Sequence, residues 1–261
     1  MLRRKPTRIE LRAEDKEEYE AAKRAAAEAK AAQQRADQQH PLSPILQADK
    51  KPTAAQRIGI KNGLLVEIKL RLPNQEAHDQ VKKALEKHHR VQHAQENVFF
   101  DGTQGELNKN QRTCRVRFYN VDKKAVITSK RRQDIVGGVG RAEELEEDVD
   151  PKAARSFLGE PDKLLNLNSP LMKKIKQEHG VGSFKCLGGF RNIRDEYDYE
   201  GFVLELDETI YPWGTVYEIE VETEDPETLK VKLEKFLNDQ KISYKYSTVT
   251  KFHNFRKKTL D

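Results

Sequence analysis

Short segments in which charged and apolar residues alternate with period two constrain this chain most. Side chains at i and i+2 share one face of a β-strand. In residues 65–72, Glu67, Lys69 and Arg71 share a face, and Val66, Ile68, Leu70 and Leu72 share the other. Residues 113–119 repeat this, with Arg115 and Arg117 set against Cys114, Val116 and Phe118. In the segment 124–131 and just beyond it, Lys130 and Arg132 continue a face begun by Thr128. Residues 202–207 alternate Glu205 and Asp207 with Leu204 and Leu206, and 217–222 alternate Glu218, Glu220 and Glu222 with Tyr217, Ile219 and Val221. Helices are predicted between these segments, over 74–88, 162–179 and 226–240. Strands outnumber helices and several follow one another directly, which predicts an α+β domain with a largely antiparallel sheet.

One wet face explains each strand taken singly. Taken together the faces are sorted, with nearly pure basic strands and one acidic strand. Three glutamates on one strand face repel each other unless a cation or basic groups lie near. Arginine pairs on an inward face suit a polyanion, because guanidinium forks bind phosphate oxygens bidentately. Closing such a sheet into a barrel turns the charged face into a lumen. Carboxylates beside basic groups in a lumen suggest a divalent ion between carboxylate and phosphate, and hard oxygen ligands point to Mg²⁺ or Mn²⁺.

The rest of the sequence mostly excludes. Of its 261 residues 36 % are hydrophobic and 35 % charged, an apolar share low for a compact domain. The deficit is concentrated at the front, where residues 13–37 hold ten alanines among Glu, Lys, Arg and Gln. With no apolar stripe this reads as a solvated helix, with a partner-binding segment as the alternative. Pro41, Pro44 and Pro52 mark a linker, so residues 1–57 are expected to form an arm and 58–261 the folded domain. No apolar run is long enough to span a membrane. Acidic residues soon after the basic start disfavour organelle import, and the two cysteines fit a reduced compartment, so a cytoplasmic location is expected. There is no GxxxxGK[ST] loop. Gly137, Gly138 and Gly140 are read as a flexible turn, His88 and His89 as part of a polar helix, and Cys186 as a buried small hydrophobe.

The string Val66-Glu67-Ile68-Lys69-Leu70-Arg71 resembles the ExExK strand of the CYTH, or triphosphate tunnel metalloenzyme, superfamily. Further matches follow in order. They are Phe99-Phe100-Asp101, Cys114-Arg115-Val116-Arg117-Phe118, Ser129-Lys130, Arg141 with the acidic run 143–148, and Cys186-Leu187-Gly188-Gly189-Phe190 with Arg194 and Tyr197. Next come Leu204-Glu205-Leu206-Asp207-Glu208-Thr209, Tyr217-Glu218-Ile219-Glu220-Val221-Glu222 and Thr250-Lys251-Phe252. The later half resembles plant-type inorganic tripolyphosphatases in particular. The resemblance implies a closed eight-stranded antiparallel β-barrel with flanking helices, whose lumen binds a triphosphate and a divalent metal. By position it assigns Lys69, Arg71, Arg115, Arg117, Lys130, Arg132, Arg141, Arg194 and Lys251 to the substrate. It assigns Glu67, Glu220 and Glu222 to the metal. Glu67, or one of Glu144 and Glu146, is expected to position the attacking water. Two phases compete in the acidic run, Glu144 with Glu146 or Glu143 with Glu147, and alignment favours the first.

One departure stands out. The first glutamate of ExExK falls at Leu65, which alternation places on the face of Glu67, so attenuated catalysis is expected. The implied function is metal-dependent hydrolysis of inorganic triphosphate to pyrophosphate and phosphate. The alternatives are a weakened polyphosphate- or nucleotide-binding module and an RNA 5′-triphosphatase. The implied partner is a small triphosphate, with no membrane, nucleic acid only as a triphosphate end, and an unknown partner for the arm.

Overall fold

The computed structural model describes residues 64–132 and 134–261, without the side chains of Leu64, Leu65 and Asp134. The expected arm helix and linker, and the side chain at Leu65, lie outside the described residues. The elements run β1 (Leu64–Leu72), α1 (Gln75–Ala84), β2 (His89–Gly102), α2 (Glu106–Lys109), β3 (Arg112–Tyr119), β4 (Lys124–Arg131), β5 (Asp134–Val136) and β6 (Val139–Val149). They continue with α3 (Pro151–Gly159), α4 (Pro170–His179), β7 (Phe184–Tyr199), β8 (Phe202–Tyr211), β9 (Gly214–Glu222), α5 (Pro226–Asp239), β10 (Lys245–Tyr246) and α6 (Lys251–Lys257).

The strands form one sheet in the order β10-β1-β9-β8-β7-β2-β3-β4-β6-β5, and a further β1–β6 pairing closes it. Eight strands thus make a closed antiparallel barrel, as expected, with β5 and β10 as short additions at its rim. Strand β1 is the seam. It pairs with β6 from Leu64 to Ile68 and with β10 at Leu70 and Arg71, while β9 runs along its other edge. Two hairpins have loops of two residues in left-handed backbone, Gly137-Gly138 between β5 and β6 and Glu200-Gly201 between β7 and β8. That is the turn whose twist matches a right-handed sheet. The glycine run is therefore a tight hairpin rather than a flexible turn.

The two larger apolar clusters lie outside the barrel. One cluster joins the outward faces of β1, β8 and β9, with Ile68, Leu70, Leu206 and Ile219, to Val81 of α1 and to Leu233 and Leu237 of α5. A second joins Val98, Val116, Phe118 and Ile127 of β2 to β4 to Phe157 of α3 and to Met172 and Ile175 of α4. The helices start where capping chemistry dictates. Asn74, Asp150, Ser169, Asp225 and Thr250 each accept a backbone N–H of the first turn, and proline opens α3, α4 and α5, where its missing N–H costs nothing.

Three further readings of the sequence are corrected. The helix over 162–179 is divided, because Ser169 and Pro170 begin a new helix after a 3₁₀ turn at Pro161–Asn166. His88 ends a 3₁₀ turn and His89 opens β2, so the pair does not sit in one helix. Cys186 is only partly buried, whereas Cys114 is fully buried.

Candidate active site

Alternation aims one face of each barrel strand inward, so the charged faces meet in a lumen. They line a cavity of about 180 Å³. Of the residues assigned from the sequence, Glu67, Lys69, Arg115, Arg117, Lys130, Arg132, Glu144, Glu146, Arg194, Glu220, Glu222 and Lys251 all line it. The acidic run therefore follows the Glu144/Glu146 phase. Glu143 faces outward to Arg112 and Lys174, and Glu147 accepts the Leu171 backbone N–H at 2.7 Å at the start of α4.

Two assigned arginines are not brought to the cavity. Arg141 is exposed and pairs across β1 with outward-facing Val66. Strict alternation puts it opposite in phase to Glu144. Arg71 is buried on the inward face of β1 but lies past the cavity end. Its Nη2 donates to the Asp261 carbonyl oxygen and lies 3.3 Å from Glu218, while Nε and Nη1 find no partner.

The acidic wall is set by register. Glu67 stands directly across from Glu222 in the β1–β9 pairing. Across β8, Glu205 stands between Glu196 and Glu220, and Asp207 lies opposite Glu218. Carboxylates placed face to face destabilise a sheet unless cations offset them. Arg194 does this by forking onto Asp207 at 2.7 and 2.5 Å and reaching Glu220 at 2.7 Å, with Glu205 on its other nitrogen. Lys251, from the start of α6, lies 2.9 Å from Asp207 and Glu218 and 2.6 Å from Glu220. Lys69 bridges Glu220 and Glu67. Burial alone would push the Glu220 carboxyl up, but Lys251, Lys69 and Arg194 outweigh it and hold it well below the usual carboxylate range. Asp207 is likewise held at about 2 against its burial, by Arg194 and Lys251. Glu205 goes the other way. Its burial, aided by Asp207, Glu220 and Glu196, outweighs Arg194 and raises its carboxyl.

The basic wall comes from β3 and β4. Arg115 reaches Thr128 at 3.2 Å and Glu144 at 3.4 Å, and its buried Nε has no partner. Burial and then the neighbouring Arg117 pull its guanidinium below the ordinary value. Arg117 is held by neutral oxygens, donating to Asn97 at 2.8 Å and Tyr119 at 3.3 Å. Lys130 sits between Glu144 at 3.0 Å and Glu67 at 3.3 Å. Crowded like charges with an orphaned donor are the arrangement a phosphate chain relieves.

Aromatic rings gather where α6 meets the lumen. Phe99 and Phe190 of the barrel pack on Phe252 and Phe255 of α6, and Tyr211 and Trp213 stack beside them. The sequence motifs contain Phe99, Phe190 and Phe252 without a role assigned to them, and sequence reading missed Tyr211, Trp213, Phe255 and the neutral lumen residues Gln95, Asn97, Tyr119 and Asn192. Asn97 and Tyr119 carried a signal, since each lies on an inward-phase position of its strand.

The donor set fits a hard divalent ion in kind, because Glu67, Glu220 and Glu222 present only carboxylate oxygens to one cavity. Among the described residues no three acidic, histidine or cysteine side chains already converge as metal ligands. Lys69, Arg194 and Lys251 occupy Glu220 instead. Among the described residues no helix is long and apolar enough to cross a membrane.

A model of the CYTH domain family matches residues 64–255. A model of the anaphase-promoting complex subunit CDC26 matches residues 1–63. No curated protein matches the chain. Among solved structures, a Hippeastrum protein named as an adenylyl cyclase and described as having a dominant triphosphatase activity is 42 % identical, with a TM-score of 0.73 over 76 % of this chain and 97 % of that one. A Bacillus halodurans protein named as an adenylate cyclase is 21 % identical, with a TM-score of 0.57 over 74 % of this chain and 98 % of that one, and shares the fold.

Proposed function

Because this chain belongs to the CYTH domain family, we propose that it hydrolyses linear inorganic triphosphate to pyrophosphate and phosphate within its barrel, using Mg²⁺ or Mn²⁺. The observation that carries this reading is the lumen itself, where the basic wall of Arg115, Arg117 and Lys130 shares one cavity with the acidic wall of Glu67, Glu220 and Glu222. The triphosphatase activity described for the Hippeastrum relative supports it.

In this reading Arg115, Arg117 and Lys130 neutralise and orient the phosphate chain. Glu67, Glu220 and Glu222 would hold the divalent ion, and Lys69, Arg194 and Lys251, which contact these carboxylates in the structure, would turn to phosphate oxygens. When bound, such an ion would supply charge stabilisation for the reacting phosphoryl group. Glu67, Glu144 or Glu146 orients the water and accepts its proton. The new P–O bond forms as the terminal P–O–P bond breaks and pyrophosphate leaves. The test is phosphate release by purified protein from inorganic triphosphate, triphosphate-ended RNA, thiamine triphosphate and ATP, with Mg²⁺ or Mn²⁺. Inorganic triphosphate is expected to lead the panel. Release no greater than that of Glu220→Gln on every substrate refutes an enzyme.

Leu65 favours a second reading, in which the lumen binds phosphate chains with weakened turnover. Leu65→Glu separates the two: a raised rate locates an attenuated enzyme, while tight triphosphate binding with no hydrolysis by either protein selects a binding module. For residues 1–63 the CDC26 match supports an assembly role beside the anaphase-promoting complex. Enrichment of that complex's subunits on the tagged full chain, lost when residues 1–63 are deleted, is the expected result. Equal recovery on both refutes it.

A further inference from the structure

The lumen's basic wall does not end at Lys130. The Arg132 backbone N–H donates to the Gln111 carbonyl at 2.7 Å, so extended pairing continues past β4. Arg132 therefore follows Lys130 on the same face, about 7 Å farther along, and it lines the cavity. Its Nη2 donates to Asn108 Oδ1 of α2 at 2.7 Å. The same oxygen accepts from Arg256 Nη1 of α6 at 2.9 Å. Two exposed guanidinium groups thus stand side by side on one neutral oxygen. Arg131 also lines the cavity here and lies directly across from Arg112. Arg112 has Glu143 at 2.6 Å, but none of the ion pairs among the described residues includes Arg131, Arg132 or Arg256.

Like charges gathered without a counter-ion cost stability, and guanidinium forks are matched to phosphate oxygens. Arg256 also lies 5.9 Å from the ring of Phe252, another cavity-lining residue, so this cluster is continuous with the lumen. We propose that Arg132 and Arg256, joined at Asn108, form an anion subsite at the tunnel rim that takes the fourth phosphate of a linear inorganic polyphosphate. This rests on the lumen holding a phosphate chain, and it extends the substrate class from triphosphate to longer chains. Arg131 adds charge to the approach.

The test is titration calorimetry in metal-free buffer, so that binding is read without turnover. The ligands are linear tetraphosphate and linear triphosphate, and the proteins are the full chain, Arg256→Gln, Arg256→Lys and Asn108→Ala. Loss of one charge-assisted contact at an exposed rim predicts that Arg256→Gln lowers the tetraphosphate-to-triphosphate affinity ratio by about fivefold. Arg256→Lys is expected to restore part of the ratio, and Asn108→Ala to lower it. A general loosening of α6 would weaken both ligands alike and leave the ratio unmoved, and that result overturns the subsite. A ratio unchanged with both affinities intact overturns it equally. Wild-type protein that binds neither ligand, in this buffer or with Ca²⁺ added, refutes the triphosphate reading itself, and the subsite with it.

Discussion

Arg194 and Arg117 are both lumen arginines, yet their surroundings assign them different work. In the structure Arg194 is engaged by Glu205, Asp207 and Glu220, of which only Glu220 is given up to a ligand in the proposed reaction. Removing it leaves buried carboxylates uncompensated, so Arg194→Gln is predicted to cost about 3–5 kcal/mol of stability, read as a lowered denaturation midpoint. Arg117 is held by Asn97 and Tyr119 alone among its hydrogen-bond partners, leaving guanidinium charge for a ligand. Arg117→Lys is predicted to raise the triphosphate KM about tenfold, about 1.4 kcal/mol, with little change in stability. The opposite ranking in stability would contradict these assignments. At this scale the sequence was legible at Glu67, Arg115 and Lys130, where period-two alternation and family position agreed. It misled where they disagreed. Arg141 and Glu144 differ by three residues and cannot share a strand face without a bulge, and the structure sends Arg141 outward. Arg71 has the right phase, but its depth along the lumen depends on where the cavity ends, which no local pattern states.

Among elements, β7 and α6 were the least legible. Strand β7 reads Phe184-Lys185-Cys186-Leu187-Gly188-Gly189 at its start and shows no clean alternation, because it is bulged. The register with β2 shifts between Phe99 and Phe100, opposite Gly188, whose φ is +81°. Next to it a Cβ on Gly189 would stand 1.7 Å from the Asn97 carbonyl oxygen. Gly189→Ala is therefore predicted to give little folded protein, measured by the yield and thermal transition of purified material. An unaltered transition would contradict the close approach of β7 to β2. Helix α6 is short, and its role depends on rings gathered from four other places in the chain. Phe255→Ala removes contacts to Phe99, Phe190 and Trp213 and is predicted to cost about 3 kcal/mol. It should also raise the triphosphate KM, because α6 carries Lys251. Lost stability with an unchanged KM would separate the aromatic cluster from the site.

Across the whole molecule the barrel is inverted relative to a small β-barrel with an apolar filling. Its apolar faces turn outward under α1, α3, α4 and α5, and its lumen holds ion pairs. A net charge of +5 from 48 basic and 43 acidic residues therefore reveals little, because it does not register the opposed charges paired inside the lumen. It also sets the response to acid. Asp207 titrates at about 2 in the folded protein and near 3.9 when unfolded. Its stabilising contribution is complete above its unfolded value and is lost as pH falls toward 2. Glu144 and Glu220, also lowered, act in the same direction, while raised Glu205 partly opposes them. Stability is thus predicted to fall steeply below about pH 4, with a shallower slope in Asp207→Asn. Equal slopes would place the acid-sensitive group elsewhere. The most direct test of the central claim is phosphate release from inorganic triphosphate by the purified chain, with and without Mg²⁺ or Mn²⁺, beside Glu220→Gln. Metal-dependent release that Glu220→Gln abolishes is the predicted result. Release that is absent, or that persists undiminished in Glu220→Gln, would contradict a carboxylate-held metal acting on triphosphate in this lumen.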